Sequence, residues 1–149
     1  LPSGRVVGVH RGRVSLDTAD AEALLVTTDR AVVVGNAVAS SQDGETVALV
    51  GQVLVEMEGA VRAGDFILPS GRGDGVARAV PTGRLDWSEA ASVIGRAWAD
   101  LPSPGRALVA VGVQGADALA AISAAFSRQA LELAALRGKL ERMTGRAAE

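Results

Sequence analysis

The stretch VALVGQVLVEMEGAVRAGDFILPSGRGDGVARAV (47–80) decides how this chain folds. Apolar and polar or small residues alternate in QVLVEME (52–58) and again in GVARAV (75–80). A period of two belongs to a half-buried strand, because successive side chains leave the backbone on opposite faces. Between them DFILPS (65–70) reads as a further strand. Pro69-Ser70-Gly71 ends it, and Asp74-Gly75 is a favoured turn dipeptide whose glycines supply the positive φ that turns demand. Gly71, Arg72, Gly73, Asp74 and Gly75 are therefore expected to form a hairpin loop.

The same pattern extends in both directions. RVVGVH (5–10), RVSLD (13–17), ALLVT (23–27), AVVVG (31–35), TVALVG (46–51), SVIGRAW (92–98) and ALVAVGV (107–113) are short Val-rich runs. Turn chemistry separates them at Arg11-Gly12, Gly35-Asn36, Asp43-Gly44, Glu58-Gly59 and Pro102-Ser103-Pro104-Gly105. Gly35, Gly51, Gly64 and Gly71 are expected at turns or bulges. Closely spaced short strands predict a mainly β fold: a compact antiparallel module, sandwich or barrel-like, over 1–114. One helical turn is expected in LDWSEAAS (85–92), where Asp86 and Glu89 have the spacing of a capping box.

From about Ala116 the period changes. Leu119, Ile122, Phe126, Gln129, Leu133, Leu136, Leu140 and Met143 follow one another in alternating steps of three and four. That is a heptad seam, with Gln129 as a polar d position of the kind that sets register. Glu132 and Arg137 have the g-to-e spacing of an interchain salt bridge in a parallel coil. Residues 115–149 are thus expected to form one long helix in a coiled coil. The alternative is a helix laid back on its own sheet. Asp117 suits the helix N-terminus, Gly138 weakens the helix, Leu131 lies off the seam and the tail GRAAE is expected to fray.

Composition narrows the function. The chain has 149 residues, one domain by length, with 48% hydrophobic but only 3% aromatic residues. A core of Val, Leu, Ile and Ala is poorly suited to a large ligand pocket, which usually has aromatic walls. A net charge of -2 lacks the basic stripe that nucleic-acid binding requires. There is no Cys and no run of 18 apolar residues, hence no disulfide framework and no expected membrane insertion. The opening LPSGR carries neither an initiator Met nor a signal peptide, as expected of a fragment, a processed product or the ordered part of something longer.

No catalytic residue can be assigned. GRGDG lacks both spacings of a phosphate-binding loop, and its single Asp does not make a calcium loop. Arg72-Gly73-Asp74 matches the short adhesion tripeptide. His10 is the only histidine, too little for a triad or a His-based metal site, and reads as a strand residue. Asp17, Asp20, Glu22 and Asp29 read as solvated loop charges. No cofactor and no metal site is expected.

AVVVGN (31–36), the 47–80 stretch, VIGRAW (93–98) and LVAVGV (108–113), taken in order, resemble the C-terminal intramolecular chaperone domains of phage tail appendages. The closest class is the self-cleaving, glutamic-peptidase-like one, and related domains end large repetitive surface proteins. The resemblance covers roughly residues 4–113. It implies a domain at the end of a long fibrous or surface protein that trimerises, sets three chains in register and in many members cleaves itself off. The implied partners are further copies of the chain, three or alternatively two, and the upstream part of the same polypeptide. The implied location is extracellular or virion-associated. Self-cleaving members cut before an acidic Asp-Tyr-Ala-Glu-like segment; this chain has no Tyr, so the resemblance carries the fold and the assembly role but assigns no peptidase residue. The alternative it implies is a self-cleaving endopeptidase domain whose catalytic acidic segment lies upstream of this chain.

Overall fold

The computed structural model describes residues 1–30, 44–112 and 114–146, apart from the side chains of 114–122, 125 and 146. The run AVVVG, its turn Gly35-Asn36 and Asp43 lie outside them, as do 147–149.

The chain is mainly β, in two sheets of short strands followed by one C-terminal helix. The first sheet contains β1 (Val6–His10), β2 (Arg13–Ser15), β3 (Ala23–Thr27) and β4 (Val47–Ala48) in the order β2-β1-β3-β4, all antiparallel. The second contains β5 (Gly51–Met57), β6 (Phe66–Pro69), β7 (Ala77–Val80), β8 (Gly95–Ala97) and β9 (Gly105–Val111). It closes into a barrel in the order β5-β7-β6-β8-β9. The expected alternation is realised on β5, where Val53, Val55 and Met57 are buried while Gln52 and Leu54 are exposed. Opposite it on β9, Ala107, Val109 and Val111 point inward.

Three details depart from the expected pattern. Barrel closure joins β5 to β7 through a parallel bridge, Met57 to Ala77, so the module is not antiparallel throughout. TVALVG yields a strand only at Val47–Ala48; Leu49 and Val50 then cross to the barrel as exposed linker residues. SVIGRAW is a strand only at Gly95–Ala97, because its first residue ends the 3-10 segment Trp87–Ser92. That segment has the expected capping box, with Ser88 N donating to Asp86 and Asp86 N donating to Glu89.

The two sheets share one core. Val6 and Val26 of the first pack with Val55, Ile67 and Val109 of the barrel. Backbone bonds fasten the joint: Val6 N donates to Gly75 O at 2.8 Å and Glu56 N to Gly4 O at 2.9 Å. The buried Thr27 hydroxyl donates to Pro2 O and accepts from Arg5 N. A second cluster lies outside the barrel, where Phe66, Leu68 and Val80 are covered by Leu85 and Val93. DFILPS is therefore apolar on consecutive positions because both of its faces are buried. Each such side chain, taken from water, is worth about 1.5–3 kcal/mol.

Helix α1 (Gln114–Arg146) begins three residues after β9 ends. It touches the β module at the 3-10 segment. From Ser123 to Gly145 its described side chains are exposed, except that Gly138 is half-buried.

Candidate functional site

Two features collect the candidate residues: the helix face and the hairpin loop.

On the helix, Phe126, Leu133, Leu136, Leu140 and Met143 are 58%, 63%, 62%, 63% and 71% exposed. At about 1.5 Å per residue they form a stripe of roughly 26 Å, interrupted by the exposed Gln129. Leu119 and Ile122 continue the seam in sequence, but their side chains, like that of Asp117, lie outside the described residues. The laid-back alternative is not what the described part of α1 does, since its apolar residues are not covered by the β module. A coiled coil is not present in a single chain either: the stripe is unpartnered. Glu132 and Arg137 are both exposed. Five residues apart, they sit on different sides of one helix and cannot pair within it. Leu131, off the seam, is 71% exposed.

At the hairpin, β6 and β7 are joined by residues 70–76, a wider loop than a two-residue tight turn. The loop is organised by Asp74. Its Oδ1 accepts from Ser70 Oγ at 2.7 Å and from Val76 N at 2.9 Å, and its Oδ2 accepts from Arg72 Nε at 2.9 Å. These bonds hold the carboxyl down at about 2 against an ordinary 3.8, the Ser70 hydroxyl contributing most and the Val76 amide next. Arg72 also donates from Nη1 to Glu58 Oε2 at 2.6 Å, and this hydrogen bond, with that to Asp74, raises its own pKa. The Arg72 and Asp74 groups are thus turned toward each other and toward Glu58. Gly75 needs its missing side chain: φ is +72°, and a Cβ there would lie 2.8 Å from Leu16 Cδ2. Gly51, Gly64 and Gly71 also have positive φ, as turn positions should; Gly35 lies outside the described residues.

Sequence reasoning found the Gly71–Gly75 loop but not Ser70 and Glu58 as its partners. Ser70 is four residues from Asp74, within reach of inspection; Glu58 is brought in only by barrel closure beside β7.

Beside this loop lies an open cleft of about 300 Å³, bordered by Asp17, Ser70, Arg78 and Glu89 among others. Arg78 and Glu89 neutralise each other across 2.5 Å. His10 ends β1, with Nε2 3.1 Å from Asp17 O. Asp17 and Glu22 accept backbone N–H bonds from Ala19 and Arg11, as loop carboxylates do. Among the described residues no group of three or more His, Cys, Asp or Glu could hold a metal ion, and no helix is long and apolar enough to cross a membrane.

Comparison with protein families, with curated proteins and with solved structures finds no match.

Proposed function

We propose that this chain is a homotrimerisation module of the intramolecular-chaperone kind, carried by a longer fibrous or surface protein whose chains it sets in register. The observation that carries the reading is the unpartnered apolar stripe on α1. From Ser123 onward the described part of this helix leaves Phe126, Leu133, Leu136, Leu140 and Met143 in water and gains little from tertiary packing. Such helices are stabilised chiefly by burying one face, and a stripe of strict heptad spacing fits another copy of itself. Gln129 at a d position and Ile122 at the preceding one favour three strands over two, and the resemblance of 4–113 to tail-appendage chaperone domains points the same way. Joining the helices raises the effective concentration of the β modules, which is how a coil lowers the cost of assembling three chains. The setting this implies is extracellular or virion-associated.

The peptidase activity of the resembled class is not part of the proposal, because no residue here matches its cleavage motif. Nor is adhesion through Arg72 and Asp74, whose charged groups are engaged with each other.

The test is the native mass of the chain by light scattering after gel filtration at micromolar concentration. Three times 15.1 kDa supports the reading; twice that mass would move it to a dimeric coil, and a monomer at all concentrations would overturn it.

A further inference from the structure

Strand alternation leaves one anomaly on the barrel surface. On β5 the outward positions are Gln52, Leu54 and Glu56, and on β9 they include Leu108 and Ala110. Leu54 pairs with Leu108, and Trp98 N, just past the end of β8, donates to Leu108 O at 2.8 Å, so Leu54, Leu108 and Trp98 form one row across β5, β9 and the residue after β8. Leu54 is 46% and Trp98 61% exposed. Leu108 between them is half-buried, and the outer face of β6 by contrast is roofed by Leu85 and Val93. One edge of the row is closed by the Glu56–Arg106 pair at 3.4 Å, a polar border of the sort that rims an interface.

Toward its other end the apolar surface reaches the root of the helix. Leu49 and Val50, 69% and 72% exposed, lie against Gly112: a Cβ on that glycine would stand 2.7 Å from Val50 Cγ2. Gly112 is two residues from the start of α1, at most about 7 Å of chain. Leu108 is four residues from Gly112, roughly 13 Å back along β9.

We infer that the face running from Leu49 and Val50 to Leu54, Leu108 and Trp98 is a second interface, covered by the β module of another copy of this chain. The inference rests on the coiled-coil reading. Helices in a parallel coil lie about 8–10 Å apart. Their roots bring Gly112 of each chain toward the common axis, and Val50 sits on Gly112. The surface nearest the axis then meets its counterparts, and the connected row meets the flank of the adjacent module. The coil and the module faces form one continuous contact, and the coil sets the register in which the modules pack.

The chain has no Cys, so single cysteines report cleanly. Val50→Cys probes the module face, Gln129→Cys the coil, and Arg13→Cys the remote edge strand β2. Each full-length variant is treated with a short bis-maleimide and run on a denaturing gel. All three positions are exposed, so the substitutions are expected to leave folding intact. Efficient covalent dimer from Val50→Cys and Gln129→Cys, at least tenfold above Arg13→Cys, is expected. Dimer from Gln129→Cys alone would overturn this inference and leave the coil standing. Dimer from neither would overturn both; from Val50→Cys alone it would remove the coil and with it the inference in this form. In a Trp87→Phe background Trp98 emission should also shift to shorter wavelength on assembly. Emission equal to that of a dissociated Leu133→Asp/Leu136→Asp variant would show Trp98 still in water and count against the face.

Discussion

Replacing Leu133 and Leu136 by Asp tests the assembly reading most directly. Both side chains are about six-tenths exposed in the single chain. Full burial of a Leu from water is worth about 1.5–3 kcal/mol, so covering the exposed part is worth about 1–2 kcal/mol per residue. Two leucines in each of three chains give about 6–12 kcal/mol for the assembly. At 1.4 kcal/mol per decade, the lower figure is already about four decades in the association constant. Carboxylates in the seam add desolvation and mutual repulsion to that loss. The isolated β module should be indifferent, because neither residue touches its core. The expected result is a monomer by light scattering at micromolar concentration, with the melting of the β module unchanged. The far-ultraviolet helical signal should fall, since an unpartnered helix is marginal in water. A variant that keeps the parental mass would refute the seam, whatever its helicity.

Three other perturbations follow from the geometry. Asp74→Ala removes the acceptor for Ser70, Arg72 and Val76, and with the carboxylate one-third exposed it should cost about 1 kcal/mol in urea unfolding, Asp74→Asn less. Because the Asp74 carboxyl sits at about 2 in the folded chain, below its ordinary 3.8, its ionic contribution is complete above about pH 4 and fades as pH falls toward 2. The gap between the parent and Asp74→Asn should close over that interval; a constant gap would mean the charge is not stabilising. Gly95→Ala should cost about 1–3 kcal/mol in thermal unfolding, since its Cβ would come within 2.6 Å of Val109 Cγ1 and crowd the Ala110 carbonyl where β8 meets β9; an unchanged melting temperature would refute that closeness. Gly138→Ala meets open space and removes a helix-weakening residue, so α1 should gain about 1 kcal/mol per chain, visible as tighter assembly on dilution.

Most of the described strands and turns, the capped 3-10 segment and the long C-terminal helix were legible in the residues alone. Each is a local matter: alternation on β5, Asp-Gly chemistry at the loop, Asp86 with Glu89, and steps of three and four in the seam are set by neighbours within a few positions. Partner choice was not legible. Nothing local announces that β5 meets β7 in parallel at Met57, that Glu58 is carried to Arg72, or that Val6 and Val26 join the barrel core. Those pairings depend on which surfaces exclude water best once all strands are formed, a sum over distant residues. Leu54 stands between the two cases. Its apolar side chain at an outward position is visible in QVLVEME, yet only the closed barrel aligns it with Leu108 and Trp98, because such a row exists only after register is set.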